Sequence, residues 1–393
     1  LFKKSKELSK LQPKLRRWII KLEQINLWSK PKIAIWRNKK FRITFMNNLD
    51  DLAAMKKLDP SGVLESTGMF ADQCQQAWNE ASAIKFTKEY ENIYNIVVCG
   101  MGGSRFTPRT IKELFRDRIK EPYEIVEEYT LPSYVDKDTL VILSSFSGMT
   151  EEIISCGKEA IKRGARISAV ASGGKVAELL KRQNAPGYIF DPKFNPCGQP
   201  RIGGGYLLMG HAGLLKALGF LDVSDGEVAD AIAWARKVST DTSTFKKLAN
   251  SLLDTHPFIV TSEFLRGFGN GFANQINETA KMISDSRHIP ELNHHMMEGL
   301  KRPDSLHQNG LFVFILSELY SDVTKKRFAI TKQVVEKQQV KTLEISLTGP
   351  SKLAQVLEGY TLSGFTTFYM AMRYDTDPVA IPWVDYFKSQ LAK

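Results

Sequence analysis

The sequence predicts an α/β fold made of two doubly wound parallel sheets. Short apolar runs recur along the chain, and most are followed by a stretch with helical spacing. This alternation starts near residue 93, lapses after residue 181 and restarts at residue 256. The length of 393 residues also exceeds what one ordinary core accommodates and suits two domains.

Each element follows from local chemistry. Asn95-Ile-Val-Val-Cys99 is apolar, β-branched and closed by glycines, so it reads as a buried strand. Residues 107–115 have helical periodicity, and residues 139–144 form the next strand. Residues 150–162 form a helix with Glu151 and Glu152 in the first turn, where the helix dipole favours acids. A strand at 166–171 and a helix at 176–181 complete the first unit. Residues 205–249 read as two helices joined near Gly219, the second opening after the capping signature Ser224-Asp-Gly-Glu. The alternation then resumes with a strand at 256–261 and a long helix at 264–282. Strands at 311–316 and 340–346, a helix at 351–374 and a closing helix at 383–388 follow. The expected organisation is a helical segment at 46–84, a first sheet domain at 85–220, a helical connection at 221–249 and a second sheet domain at 250–393.

Composition narrows the class. Hydrophobic residues make up 43% and charged residues 25%, the balance of a globular protein. No apolar run reaches the length of a membrane span, so no membrane association is expected. The four cysteines, Cys74, Cys99, Cys156 and Cys197, are scattered without metal-ligand spacing and read as reduced thiols of a cytoplasmic protein. The net charge of +11 is concentrated at the front: residues 1–45 carry +12, which leaves −1 for the rest. The body therefore has no basic excess with which to grip nucleic acid. The basic leader fits a polyanion-binding arm, a targeting peptide, or an extension that stands outside the fold. The last is the expectation, because Met46-Asn-Asn-Leu-Asp opens with a helix-capping pattern.

Two small-residue turns follow successive strands. Gly100-Met-Gly-Gly-Ser104 lets backbone approach a ligand at a helix start, yet it matches neither the dinucleotide fingerprint nor a Walker loop. Ser145-Phe-Ser-Gly-Met-Thr150 adds the hydroxyls of Ser145, Ser147 and Thr150 and carries no Lys or Arg. Neutral donors at a helix N-terminus suit a phosphate monoester. Alone, each turn is equally an ordinary βα connection or an N-cap cluster. Together, at successive strand ends of one sheet, they point to a ligand. Downstream lie a carboxylate, Glu278, and an imidazole, His294, sixteen residues apart. A phosphate site, a base and an imidazole are the parts that move a proton along a phosphorylated sugar. No HxH or HExxH set offers a metal site, and this chemistry needs no cofactor.

These motifs resemble those of the sugar isomerase (SIS) domain. Asn195-Pro-Cys-Gly-Gln-Pro-Arg201, Asn277-Glu-Thr-Ala-Lys281 and Pro290-Glu-Leu-Asn-His294 narrow the resemblance to the bifunctional phosphoglucose/phosphomannose isomerase family, from about Met46 to Lys393. The resemblance implies interconversion of fructose 6-phosphate with glucose 6-phosphate, and with mannose 6-phosphate, in a cytoplasmic homodimer whose active site is shared between subunits. It implies Glu278 as the base between C1 and C2 and His294, supplied by the partner subunit, in ring opening. It further implies Arg201 beside the enediolate, Lys388 near the ring oxygen, and Gly103, Ser104, Ser145, Ser147 and Thr150 around the phosphate. His295 is the competing imidazole, although spacing favours His294. The chain departs from the family pattern at Arg105-Phe-Thr-Pro, at Met149 and at Asp377-Pro-Val-Ala, the last of which bears on the choice between epimers. Arg105 either adds a phosphate contact or points outward. The rival readings are another phosphosugar enzyme, such as an aminosugar isomerase or deaminase, and a non-catalytic phosphosugar sensor.

Overall fold

The computed structural model describes residues 49–391. The basic leader 1–45 and Lys393 lie outside the described residues, so the expectations about them are not taken further. The described chain opens with three helices, α1 (Leu52–Leu58), α2 (Val63–Gly68) and α3 (Phe70–Ala81). The first sheet then runs β1 (Asn95–Gly100), α4 (Gly103–Leu114), β2 (Tyr123–Val126), β3 (Thr139–Ser145), α5 (Glu151–Lys162), β4 (Arg166–Ala171), α6 (Gly174–Gln183) and β5 (Tyr188–Ile189), with no helix between β2 and β3. Three helices follow, α7 (Gly204–Ala217), α8 (Asp225–Val238) and α9 (Thr242–Leu252). The second sheet comprises β6 (His256–Thr261), α10 (Arg266–Thr279), β7 (Asp285–His288), β8 (Gly310–Ser317), α11 (Asp322–Lys337) and β9 (Lys341–Leu347). The chain closes with α12 (Lys352–Arg373) and α13 (Pro382–Leu391).

Both sheets are parallel throughout, ordered β2-β1-β3-β4-β5 and β7-β6-β8-β9. The predicted α/β class with two doubly wound sheets is what forms. In each sheet the strand order reverses once, between β1 and β3 and between β6 and β8. Ligands of open α/β sheets bind in the crevice at such a reversal, beyond the carboxyl ends of the strands.

Side-chain alternation explains the layers of the first sheet. Ile96, Val98, Leu140 and Ile142 face the main core, which runs on into the second sheet. Val97, Cys99, Val141 and Leu143 face a smaller core under α5 and α6, with Ile153, Cys156 and Val176. A strand buried on both faces reads as a continuous apolar run, which is why β1 and β3 stand out in sequence. α12 is buried along almost its whole length and packs against α8, α9 and α10. Tyr360 on α12 shares a hydrogen bond of 2.7 Å with Thr110 on α4. α10 lies close against α4 as well: a Cβ on Gly267 would sit 2.3 Å from the Thr110 backbone.

Three expectations need correction. Residues 205–249 hold three helices, because Asp241 breaks the run and caps α9 through Thr244 N. The helix expected at 264–282 ends at Thr279, where Lys281 turns to positive φ. The helix expected from 107 begins at Gly103, so the glycine turn is itself the helix start and Pro108 sits in its first turns.

Candidate active site

The two small-residue turns flank the reversal between β1 and β3. Three backbone features shape them. Gly102 has φ +50° and Gly148 φ +66°, conformations that favour glycine. A Cβ on Gly148 would lie 1.8 Å from the Gly173 carbonyl oxygen, so this turn packs directly on the loop after β4. The two turns are also tied to each other. Phe146 N donates to Ser104 Oγ at 2.9 Å, and Ser144 Oγ donates to the Ser104 carbonyl at 2.7 Å.

The hydroxyls are arranged differently from a simple ring of free donors. Ser145 is buried, and its Oγ shares a hydrogen bond of 2.8 Å with Thr150 Oγ1. Ser147 is exposed and accepts from Met149 N at 3.3 Å. Thr150 is the N-cap residue of α5, yet its side chain makes no capping bond. α4, α6 and α7, which start behind Gly102, Gly173 and Gly203, likewise lack a side-chain cap. By contrast α8, α9, α11 and α12 are capped by Ser224, Asp241, Ser321 and Ser351. Uncapped first-turn N–H groups carry the positive end of the helix dipole and accept anions.

Arg201 joins these turns to the carboxylate. The segment ahead of α7 passes close to both: a Cβ on Gly103 would sit 3.3 Å from the Pro200 carbonyl, and one on Gly203 2.2 Å from the Phe146 ring. From this segment the guanidinium, only 2% exposed, reaches into the second half of the chain. Nε donates to Thr279 Oγ1 at 3.2 Å, and Nη1 to Gln199 Oε1 at 2.9 Å and Glu278 Oε2 at 3.4 Å. Nη2 donates to the carbonyls of Pro378 and Val379 at 2.6 and 2.9 Å. All five N–H donors of the fork are engaged. Burial draws the Arg201 pKa below its ordinary value, and the Glu278 carboxylate opposes that shift. The Glu278 contact is the longest of the set, and the carboxylate keeps about a third of its side chain exposed. Carboxylate and guanidinium thus meet through a long contact, made from a segment whose backbone packs on both turns.

The remaining candidates stand apart from this pair. His294 lies in the helical turn Glu291–His294 beyond β7, is exposed, and makes no hydrogen bond or ion pair among the described residues. His295 is taken up by Glu291 at 2.9 Å, which leaves His294 as the available imidazole. Lys388 is exposed on α13, whose Trp383, Tyr386 and Phe387 are exposed too. Within one chain neither His294 nor Lys388 contacts Glu278 or Arg201 among the described residues. Arg105 is committed elsewhere, to Glu127 Oε1 and Asn270 Oδ1 at 2.8 Å each. Sequence reasoning quoted Lys281 in a motif but assigned it no role; its Nζ donates to the Asp377 carbonyl at 2.6 Å, beside the Arg201 contacts. No cluster of His, Cys, Asp or Glu suited to a metal occurs among the described residues.

The chain thus pairs two parallel sheets with uncapped helix starts at the first strand reversal, and it links a carboxylate to a guanidinium. Residues 242–391 match the bacterial phospho-glucose isomerase C-terminal SIS domain. Along most of its length the chain is similar to bifunctional phosphoglucose/phosphomannose isomerases. It is 29% identical over 346 residues to the enzyme of that name from Caldicellulosiruptor bescii, covering 84% of this chain and 99% of the relative. The Aquifex aeolicus enzyme of the same name is 28% identical, with 80% and 96% covered. Among solved structures, a hypothetical protein from Thermus thermophilus shares the fold with a TM-score of 0.65, 16% identity, and 86% and 93% of the two chains covered.

Proposed function

We propose that this chain is an aldose–ketose isomerase that interconverts fructose 6-phosphate with glucose 6-phosphate and mannose 6-phosphate. The observation that carries the reading is the Pro200–Gly203 segment: it abuts both phosphate-type turns and delivers Arg201 to Glu278. The relatives' shared name supplies the substrate class.

In this reading Gly103, Ser104, Ser145, Ser147 and Thr150, with the uncapped N-terminus of α5, hold the phosphate. Glu278 takes the proton from C2 of the open aldose, and the electron pair of that C–H bond forms the C1–C2 double bond. Negative charge moves to the C1 oxygen, and Arg201 stabilises it without reorienting, since its other contacts fix it in place. The C2 hydroxyl proton passes to the C1 oxygen through the cis-enediol, and Glu278 returns its proton to C1 as the C2 oxygen becomes the ketone carbonyl. A positioned carboxylate of this kind contributes about 10²–10⁴-fold. Return of the proton to either face of C2 in the reverse direction gives glucose 6-phosphate or mannose 6-phosphate.

The enzyme works in the cytoplasm as a homodimer, with His294 of one subunit completing the other subunit's site. The exposed His294, which makes no hydrogen bond or ion pair among the described residues, supports that arrangement. Lys388 assists at the ring oxygen from α13.

Glu278→Gln tests the reading. The variant should lose exchange of the fructose 6-phosphate C1 proton with deuterated water, read by NMR, while still binding the sugar phosphate. Retained exchange would remove Glu278 from its role. Ammonia release from glucosamine 6-phosphate by the wild-type chain would instead favour an aminosugar enzyme.

A further inference from the structure

Lys281 ends the Asn277-Glu-Thr-Ala-Lys281 motif just past α10, and the chemistry above leaves it unused. Its backbone is left-handed, with φ +55°. Helix exits of that shape ordinarily take Gly or Asn, and a longer side chain there is strained. The strained turn brings the side chain back toward the site. Nζ donates to the Thr279 carbonyl at 3.1 Å and to the Asp377 carbonyl at 2.6 Å.

The Asp377 carbonyl is the chain neighbour of the Pro378 carbonyl, which accepts from Arg201 Nη2 at 2.6 Å. One loop therefore holds the ammonium and the guanidinium next to each other, and Glu278 bonds the latter. The Asp377 carboxylate does not pair with Lys281; its Oδ1 accepts from Val379 N at 2.7 Å and Ala380 N at 3.4 Å. Its charge still acts on both cations, so the corner holds two cations and two carboxylates, with the ammonium and guanidinium side by side next to Glu278. Lys281 spends two of its three N–H donors on backbone carbonyls and has one left.

We propose that Lys281 is a further catalytic residue, whose remaining N–H donates to the sugar oxygen that gains charge as Glu278 removes the carbon-bound proton. The inference rests on the isomerase reading. The proton stays on nitrogen throughout, and the hydrogen bond strengthens as charge builds on oxygen. The surroundings keep the ammonium poised. The residue as a whole is exposed, yet partial burial of its charged end draws the pKa down to about 8. Arg201, from the segment ahead of α7, pushes the same way, while Asp377 from the loop ahead of α13 and Glu278 from α10 oppose it. Because the charged form does the work, turnover should fall as the pH rises through about 8.

The test uses the full-length chain, with kcat and KM for fructose 6-phosphate measured from about pH 6 to about pH 10, a range that brackets the shifted and ordinary lysine values. Lys281→Met should lower kcat by about 10²-fold with little change in KM, and should lose the alkaline limb. Lys281→Arg, which stays charged, should move that limb upward. Lys281→Gly relieves the backbone strain, so it should melt no lower than wild type yet lose as much kcat as the methionine variant. Loss of melting temperature and a raised KM at unchanged kcat would mean that Lys281 only latches the 377–379 loop, and would overturn the proposal. A wild-type chain that converts fructose 6-phosphate, with Lys281→Met within about threefold of it and an intact alkaline limb, would overturn this inference alone. A wild-type chain inert toward fructose 6-phosphate would overturn both readings.

Discussion

His211 shows what burial does to a single residue. It is enclosed in α7, where Nδ1–H donates to the Leu207 carbonyl at 2.6 Å, and burial pushes its pKa down to about 4. The unfolded chain binds the same proton near the ordinary value of about 6.5. The unfolded state therefore holds more protons between those values, and stability is lost as pH falls from about 6.5 toward 4. The loss approaches about 3 kcal/mol at the acid end. Urea unfolding at a series of pH values should show this slope, and His211→Gln should flatten it even if the variant is weaker at neutral pH. The residues of the proposed site were legible to different degrees for equally local reasons. Glu278 and Arg201 sit in motifs whose spacing could be read. Lys281 could not be separated from any surface lysine, because its significance comes from a positive φ and from one carbonyl almost a hundred residues away. Ser104 was read as a phosphate donor, and its oxygen also accepts the bond that joins the two turns.

Among the elements, the helices behind the two turns share an uncapped start, a trait also seen in α2, α3 and α10. The helices behind the glycine and hydroxyl turns begin without a side-chain cap, and α8, α9, α11 and α12 begin with one. Capping contributes about 1 kcal/mol, so leaving it out gives up stability for open N–H groups. Gly148→Ala should close the second turn: its φ of +66° strains any side chain, and the added carbon meets the Gly173 carbonyl. The expected result is a loss of about 2–4 kcal/mol in thermal unfolding together with a higher KM for the sugar phosphate. The same physics decided which strands could be read. β1, β3, β4, β6 and β8 are dominated by apolar runs because sheet or helix covers them on both sides. β2 and β7 are four residues long, β5 is two, and each lies at a sheet edge. β7 is Asp285-Ser-Arg-His288, held by its pairing with β6 and invisible to any hydrophobic pattern. α11 was passed over as well: its sequence is largely polar, and few of its residues are buried.

At the scale of the molecule, the exposed aromatic face of α13 belongs with the proposed dimer. Trp383, Tyr386 and Phe387 lie on a helix with no buried residue, on the same segment as Lys388. Sedimentation equilibrium should give about twice the chain mass of 44.4 kDa. Phe387→Asp should lower that mass toward one chain and reduce activity with it; a dimer and a rate that both survive would place the contact elsewhere. The Arg201 guanidinium also spans the sequence: it comes from the segment ahead of α7 and ends on Glu278, Thr279, Pro378 and Val379. Neither half of the chain therefore carries the proposed site whole. A gene split between α9 and β6, or a half exchanged with that of a distant cousin, would keep its sheet and its core yet leave the arginine fork without matching carbonyls. The two halves are obliged to drift through sequence space as one lineage.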